Sequence, residues 1–107
     1  MQFLLDRNIT DKRIKEHLKS NAHTYTYAGY REKDFSVAVK SLRTQAIVIT
    51  RDGDFAKEPI LSKVYGVIYI PQTCKGNITR FLEKAIQNLA PCNRKVGFDQ
   101  KCKLICL

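Results

Sequence analysis

The stretch that most constrains this chain runs Ala46-Ile47-Val48-Ile49-Thr50-Arg51-Asp52-Gly53-Asp54-Phe55. Apolar and β-branched residues follow one another with no polar alternation, the pattern of a strand buried on both faces. Such strands belong to parallel sheets covered by helices, and ligands bind in the crevice outside their carboxyl ends. Asp52 and Asp54 fall at that opening. The same residues also read as an Asp-Gly hairpin turn. Against the hairpin, Phe55-Ala56-Lys57-Glu58-Pro59 does not alternate, and Pro59 would cost a returning strand one of its ladder hydrogen bonds.

The remaining elements are read around this strand. Phe3-Leu4-Leu5 is a shorter buried strand that delivers Asp6, followed by Arg7 and Asn8. A helix is expected from about Asp11 to Ser20, capped by Thr10 or Asn8, with Ile14 and Leu18 facing inward. Lys12, Arg13, Lys15 and Lys19 make its solvated face. His23-Thr24-Tyr25-Thr26-Tyr27 alternates and is rich in β-formers, which predicts a second strand near a sheet edge. Residues 28–33 read as loop. Phe35, Ala38, Val39 and Leu42 stand at i, i+3, i+4 and i+7 and predict an amphipathic helix opened by Asp34. Phe55 to Lys63 is a turn with a short helix interrupted by Pro59. Gly66-Val67-Ile68-Tyr69-Ile70 is a fourth strand, stopped by Pro71. Ile78, Phe81, Leu82, Ala85, Ile86 and Leu89 form the cleanest helical stripe, ended before Pro91 and read as core. Val96-Gly97-Phe98 and Cys102-Lys103-Leu104-Ile105 flank Asp99-Gln100-Lys101 as a terminal hairpin.

Strand and helix alternate along the chain, which implies an α/β fold with a mostly parallel sheet and right-handed crossovers. The expected order sets the first strand beside the third. That order brings Asp6 together with Asp52 and Asp54, while Asp34 approaches from the second helix. Converging carboxylates repel one another and need a counter-charge. A hard divalent cation, Mg2+ or Mn2+, suits carboxylate and water ligands and leaves positions open for substrate oxygens. Asp6, Asp52 and Asp54 are the candidate metal ligands, and Asp34 completes the candidate catalytic set. Asp34 reads equally as a first-turn acid that favours its helix dipole, and Asp54 as a turn acid. His17 and His23 are isolated and receive no role.

Charge points to the partner. The chain carries 19 Lys+Arg against 10 Asp+Glu, a formal net charge of +9. Such an excess suits a polyanion, with RNA the first candidate and DNA the alternative. Arg7, Asn8, Thr50, Arg51 and Lys57 flank the acids and are the candidates for contact with nucleic acid; Asn8 and Thr50 read equally as a helix cap and a strand end. A basic exterior around an acidic metal site is the arrangement a nuclease needs. At 107 residues the chain is one domain. No apolar stretch reaches the ~20 residues of a membrane span. The amino terminus lacks the basic start of a signal peptide, so the cytoplasm is expected.

Cys74, Cys92, Cys102 and Cys106 have no zinc-site spacing. In a cytosolic protein they are expected as free thiols, although some hyperthermophile proteins are disulfide-rich. If Lys95–Phe98 pairs with Lys101–Leu104, Cys92 and Cys106 come close to opposite one another, and an oxidising medium should bridge them. Cys102 and Cys106 cannot bridge along one extended strand, because four residues span about 13 Å.

Taken together, Phe3-Leu4-Leu5-Asp6-x-Asn8, Asp34 opening the middle helix, Ile49-Thr50-Arg51-Asp52-Gly53-Asp54-Phe55 and Gly66-Val67-Ile68 resemble the small PIN-like branch of the PIN-domain superfamily. The resemblance covers residues 1–90 and leaves 91–107 as a C-terminal extension packed on the same domain. It implies a three-layer α/β/α fold and a magnesium- or manganese-dependent ribonuclease with metal-binding acids at Asp6, Asp34, Asp52 and Asp54. In many relatives such a protein is the toxin of a toxin–antitoxin pair, so an antitoxin and a second copy of the chain are the implied protein partners. The sequence departs from that pattern at Arg7, where an acid commonly follows the first Asp. The alternative function is a non-catalytic nucleic-acid-binding or protein-interaction module on the same scaffold. A phospho-acceptor receiver ranks last, for want of a later strand delivering a lysine to the acids.

Overall fold

The strands form where apolar runs are interrupted by turn residues. In a computed structural model, which describes residues 1–29 and 31–107, β1 (Gln2–Leu5) buries Phe3, Leu4 and Leu5. Tyr30, read above as loop, lies outside the described residues. Helix α1 (Lys12–Ser20) is capped by Asp11, whose side chain accepts the backbone N–H of Arg13, rather than by Thr10 or Asn8. Its buried residues are Ile14 and Leu18, as their spacing predicts. Then come β2 (Thr24–Tyr27), α2 (Asp34–Thr44), β3 (Ile47–Thr50), a single 3-10 turn (Gly53–Ala56), β4 (Gly66–Tyr69), α3 (Ile78–Gln87), β5 (Lys95–Phe98) and β6 (Leu104–Cys106).

The six strands make one sheet in the order β2-β1-β3-β4-β5-β6. The first five run parallel, and β6 returns antiparallel to β5 with Phe98 opposite Leu104. The fold is therefore α/β with a central, mostly parallel sheet, and β1 lies beside β3. β2 is an edge strand, and the terminal hairpin forms, with β5 paired to β4 within the parallel sheet.

Alternate residues of the sheet feed two cores. Phe3, Leu5, Ile47, Ile49 and Ile68 pack with Ile14 and Leu18 of α1 and with Ile78, Leu82 and Ala85 of α3. Leu4, Val48 and Val67 pack with Val37 and Ala38 of α2 and with Phe55. Helices thus cover both faces, α1 and α3 on one and α2 on the other.

Helix α2 corrects the expected stripe. Its buried residues are Val37, Ala38 and Ser41, while Phe35, Val39 and Leu42 are 54%, 43% and 56% exposed. Small residues let the helix sit close to the sheet. Ser41 is satisfied there, donating to the carbonyl of Ala46 at 2.6 Å and accepting from Tyr65 N–H at 3.1 Å.

The cysteines are all paired, contrary to the expectation of free thiols. Cys92 bridges Cys106 across the terminal hairpin, with Cα atoms 5.0 Å apart. Cys74 bridges Cys102, 28 residues away, and ties the segment after β4 to the turn between β5 and β6.

Candidate functional site

β1, β3 and β4 end on one rim, and the chain leaves β3 through Arg51, Asp52 and Gly53. Thr50 is the last residue of β3 and is fully buried. Its hydroxyl donates to Oδ2 of Asp6 at 2.7 Å and accepts the N–H of Asp52 at 2.9 Å. Asp52 in turn caps the 3-10 turn, its Oδ1 accepting the N–H of Asp54 at 3.0 Å. A polar line therefore runs from the end of β1 through β3 to the acidic turn: Asp6, Thr50, Asp52, Asp54.

Asp34, Asp52 and Asp54 converge, each offering a carboxylate oxygen within 4.8 Å of the others. Asp52 and Asp54 come from the turn after β3, and Asp34 from the first turn of α2. Asp34 is half-buried, and burial raises its pKa above the ordinary carboxylate value. Asp52, Asp6 and Asp54 push it further in the same direction, in that order, against a smaller opposing effect of Arg7.

Asp6 does not join the triad. It is buried, with Oδ1 accepting the N–H of Arg7 at 2.9 Å and Oδ2 held by Thr50. Of the four acids the resemblance expects at the metal, Asp34, Asp52 and Asp54 come together, and Asp6 is held apart by Thr50. Thr50, with no exposed surface, cannot touch a nucleic acid; its hydroxyl is committed to positioning Asp52.

Arg51 is also turned inward. Its Nη2 donates to the carbonyls of Pro71 at 2.9 Å and Cys74 at 3.0 Å, so the guanidinium clamps the segment after β4 instead of facing a phosphate. Asn8 accepts the N–H of Arg51 at 3.4 Å and so belongs with the groups that hold the rim. Arg7 and Lys57 are exposed beside the acids. Tyr69, the last residue of β4, was not singled out in the sequence; its hydroxyl lies 3.3 Å from where a Cβ on Gly53 would stand. Only the pairing of β3 with β4, opposite which Thr50 meets Tyr69, reveals it.

The receiver reading gains a strand, β5, with no lysine at the carboxyl end of the strand itself. β5 exists, but Lys95 stands at its amino-terminal end, on the opposite edge of the sheet from the acids. The chain matches no family model, and no curated protein and no solved structure matches it. No helix among the described residues is long and apolar enough to cross a membrane.

Proposed function

We propose that this protein is a divalent-metal-dependent ribonuclease of the PIN-like kind, with RNA as substrate and DNA as the alternative. One observation carries the reading. Three carboxylates from two separately anchored elements meet at the carboxyl edge of a parallel sheet, in a chain whose net charge is +9. The donor set fits the ion that the reading needs. Oxygens on one magnesium or manganese ion stand roughly 3 Å apart when adjacent and roughly 4.2 Å when opposite, so oxygens within 4.8 Å of one another would have to draw inward to share it. A bound ion of this type supplies an activated water and stabilises charge on a phosphate. The chain's own residues do the rest. Asp34, Asp52 and Asp54 would hold the ion, Thr50 and Asp6 fix the turn, and the exposed Arg7 and Lys57 draw phosphates to the rim.

Asp52→Asn is the test. Asparagine keeps the side-chain oxygen that caps the turn and removes the charge. Manganese-dependent cleavage of RNA should be abolished, while the metal-free protein melts no lower than wild type because repulsion from Asp34 and Asp54 is relieved. A variant that is destabilised yet cleaves as well as wild type returns Asp52 to a turn-forming role and refutes the nuclease.

A second reading has an observation of its own. Phe35, Val39 and Leu42 line one exposed face of α2, directly after Asp34. Such a face suits a protein partner, an antitoxin or a second copy of this chain, and it fits equally a non-catalytic interaction module. The compartment that goes with the ribonuclease is the cytoplasm. Two disulfides in so short a chain suit an oxidising compartment, and suit the cytoplasm only in the hyperthermophile exception.

A further inference from the structure

A groove at the start of α3 lies outside the acidic site and gathers positive charge. Lys75, Asn77, Arg80, Phe81, Lys84 and Cys102 line it. Lys75, Arg80 and Lys84 are all exposed, and among the described residues none of them pairs with a carboxylate. Phe81 is held in place by an edge-to-face contact with Phe98, ring centroids 5.2 Å apart. No acid lines the groove. Three unpaired cations around an aromatic surface suit a phosphate chain with attached bases, since each phosphate releases bound counterions and each base can stack.

The position of the groove ties it to the acids. The segment after β4 leaves the same sheet edge on which Asp52 and Asp54 stand, and α3 begins from it. Arg51, next to Asp52, grips that segment through the carbonyls of Pro71 and Cys74. Cys74 is bonded to Cys102, which lines the groove. Between them a hollow along the carboxyl ends of β3, β4 and β5 is bordered by Arg51, Tyr69, Gln72 and Gln100. Asp99 also borders it, and its Oδ1 accepts the N–H groups of Lys101 and Lys103.

We infer that the Lys75–Arg80–Lys84 groove binds the phosphate backbone of a single nucleic-acid strand that continues past the acidic triad. The inference rests on the ribonuclease reading for the identity of the strand and is independent of cleavage. The experiment measures binding of a fluorescent single-stranded RNA by anisotropy, without divalent metal, across a salt series. Wild type is compared with two triple variants of equal charge loss. One carries Lys75→Gln, Arg80→Gln and Lys84→Gln. The other carries Lys40→Gln, Arg43→Gln and Lys63→Gln, on and beside α2 across the sheet. The groove variant should bind at least tenfold more weakly at ~100 mM salt, and its log–log salt slope should shrink by about 2, as losing three single-strand phosphate contacts requires. The α2 variant should keep the wild-type slope.

Equal weakening of both variants reduces the effect to net charge and overturns the inference, as does wild type that fails to bind RNA at low salt. Competition by polyglutamate as strong as by RNA at equal charge assigns the groove to acidic protein and also overturns it. Cleavage with manganese is scored separately. Groove-dependent binding with no cleavage refutes the ribonuclease and leaves the strand site standing. Cleavage with a raised KM and unchanged kcat in the groove variant supports both.

Discussion

Thr50→Val tests whether the acidic turn is held by the buried polar line or only by its own residues. Valine has nearly the shape of threonine, so the change opens no cavity and leaves the β3 backbone intact. It removes the hydrogen bond to Oδ2 of Asp6 at 2.7 Å and the acceptor for Asp52 N–H at 2.9 Å. A hydrogen bond to a charged group contributes about 1.5–3 kcal/mol and a neutral one about 0.5–1.5. Asp6 is only 5% exposed, so water cannot replace the lost donor. The half-buried Asp52 N–H recovers part of its loss from solvent. The variant should therefore lose about 2–4 kcal/mol. In a domain of this size that lowers Tm by roughly 8–16 °C. Thr50→Ser keeps the hydroxyl, deletes one buried methyl and should cost only about 1 kcal/mol. Urea unfolding and thermal melts of both variants make the comparison, and manganese titration followed by Tm reads the effect on the triad. A valine variant within about 0.5 kcal/mol of wild type, or serine and valine variants equally unstable, would refute the reasoning.

Two further expectations follow from the same geometry. Asp34 has its folded-state pKa raised, by burial first and then by Asp52, Asp6 and Asp54. Its native state thus binds a proton more tightly than the unfolded chain, and that contribution to stability is lost as pH rises from the unfolded value of 3.8 through the folded one. Asp34→Asn, uncharged throughout, should melt higher than wild type at neutral pH without metal, lose that advantage near pH 3, and show a smaller rise of Tm with manganese. No difference between pH 3 and 7 would contradict this. Gly66→Ala places a Cβ 2.7 Å from the carbonyl oxygen of Arg94 and 3.1 Å from Cγ1 of Ile47. Because the first neighbour is backbone, β4 must shift, and a loss of about 1–3 kcal/mol in urea unfolding is expected; an alanine variant of wild-type stability would show that the strand start yields freely.

The sheet was legible because β1, β3 and β4 carry short unalternating apolar runs bounded by turn residues, the pattern of strands buried on both faces. β1 beside β3 was the order expected from the alternation of strand and helix. The buried face of α2 was not legible. Phe35, Val39 and Leu42 obey helical spacing as well as Val37, Ala38 and Ser41 do, and hydrophobicity favours the first set. The sheet takes the second because close approach needs small side chains, and because Ser41 finds two backbone partners that exist only in the folded chain. The Cys74–Cys102 pairing was hidden for a similar reason. A separation of 28 residues says nothing until β5 lies beside β4 and brings the two segments together. Cys92–Cys106 was accessible because a hairpin is local.

That Asp34 and not Asp6 meets Asp52 and Asp54 has the same physical root. Four acids could be assigned to one rim from the sequence, but which of them faces outward depends on where each finds partners. Asp6 ends a central strand, so the next strand supplies Thr50 at hydrogen-bond distance, and a carboxylate with both oxygens engaged stays buried. Asp34 starts a helix whose N-cap residue, Lys33, contributes no side-chain hydrogen bond, and among the described residues no ion pair holds its carboxylate. It is left to face Asp52 and Asp54, where burial and repulsion both raise its pKa. The acid that is best supported by the fold is therefore the one least available to a ligand. The acid least supported is the one whose charge most needs a counter-ion. Asp52 stands between these cases, held by Thr50 through its backbone while its side chain caps the turn and meets the other two acids, which makes it the one residue through which a loss of positioning and a loss of charge can be separated by experiment.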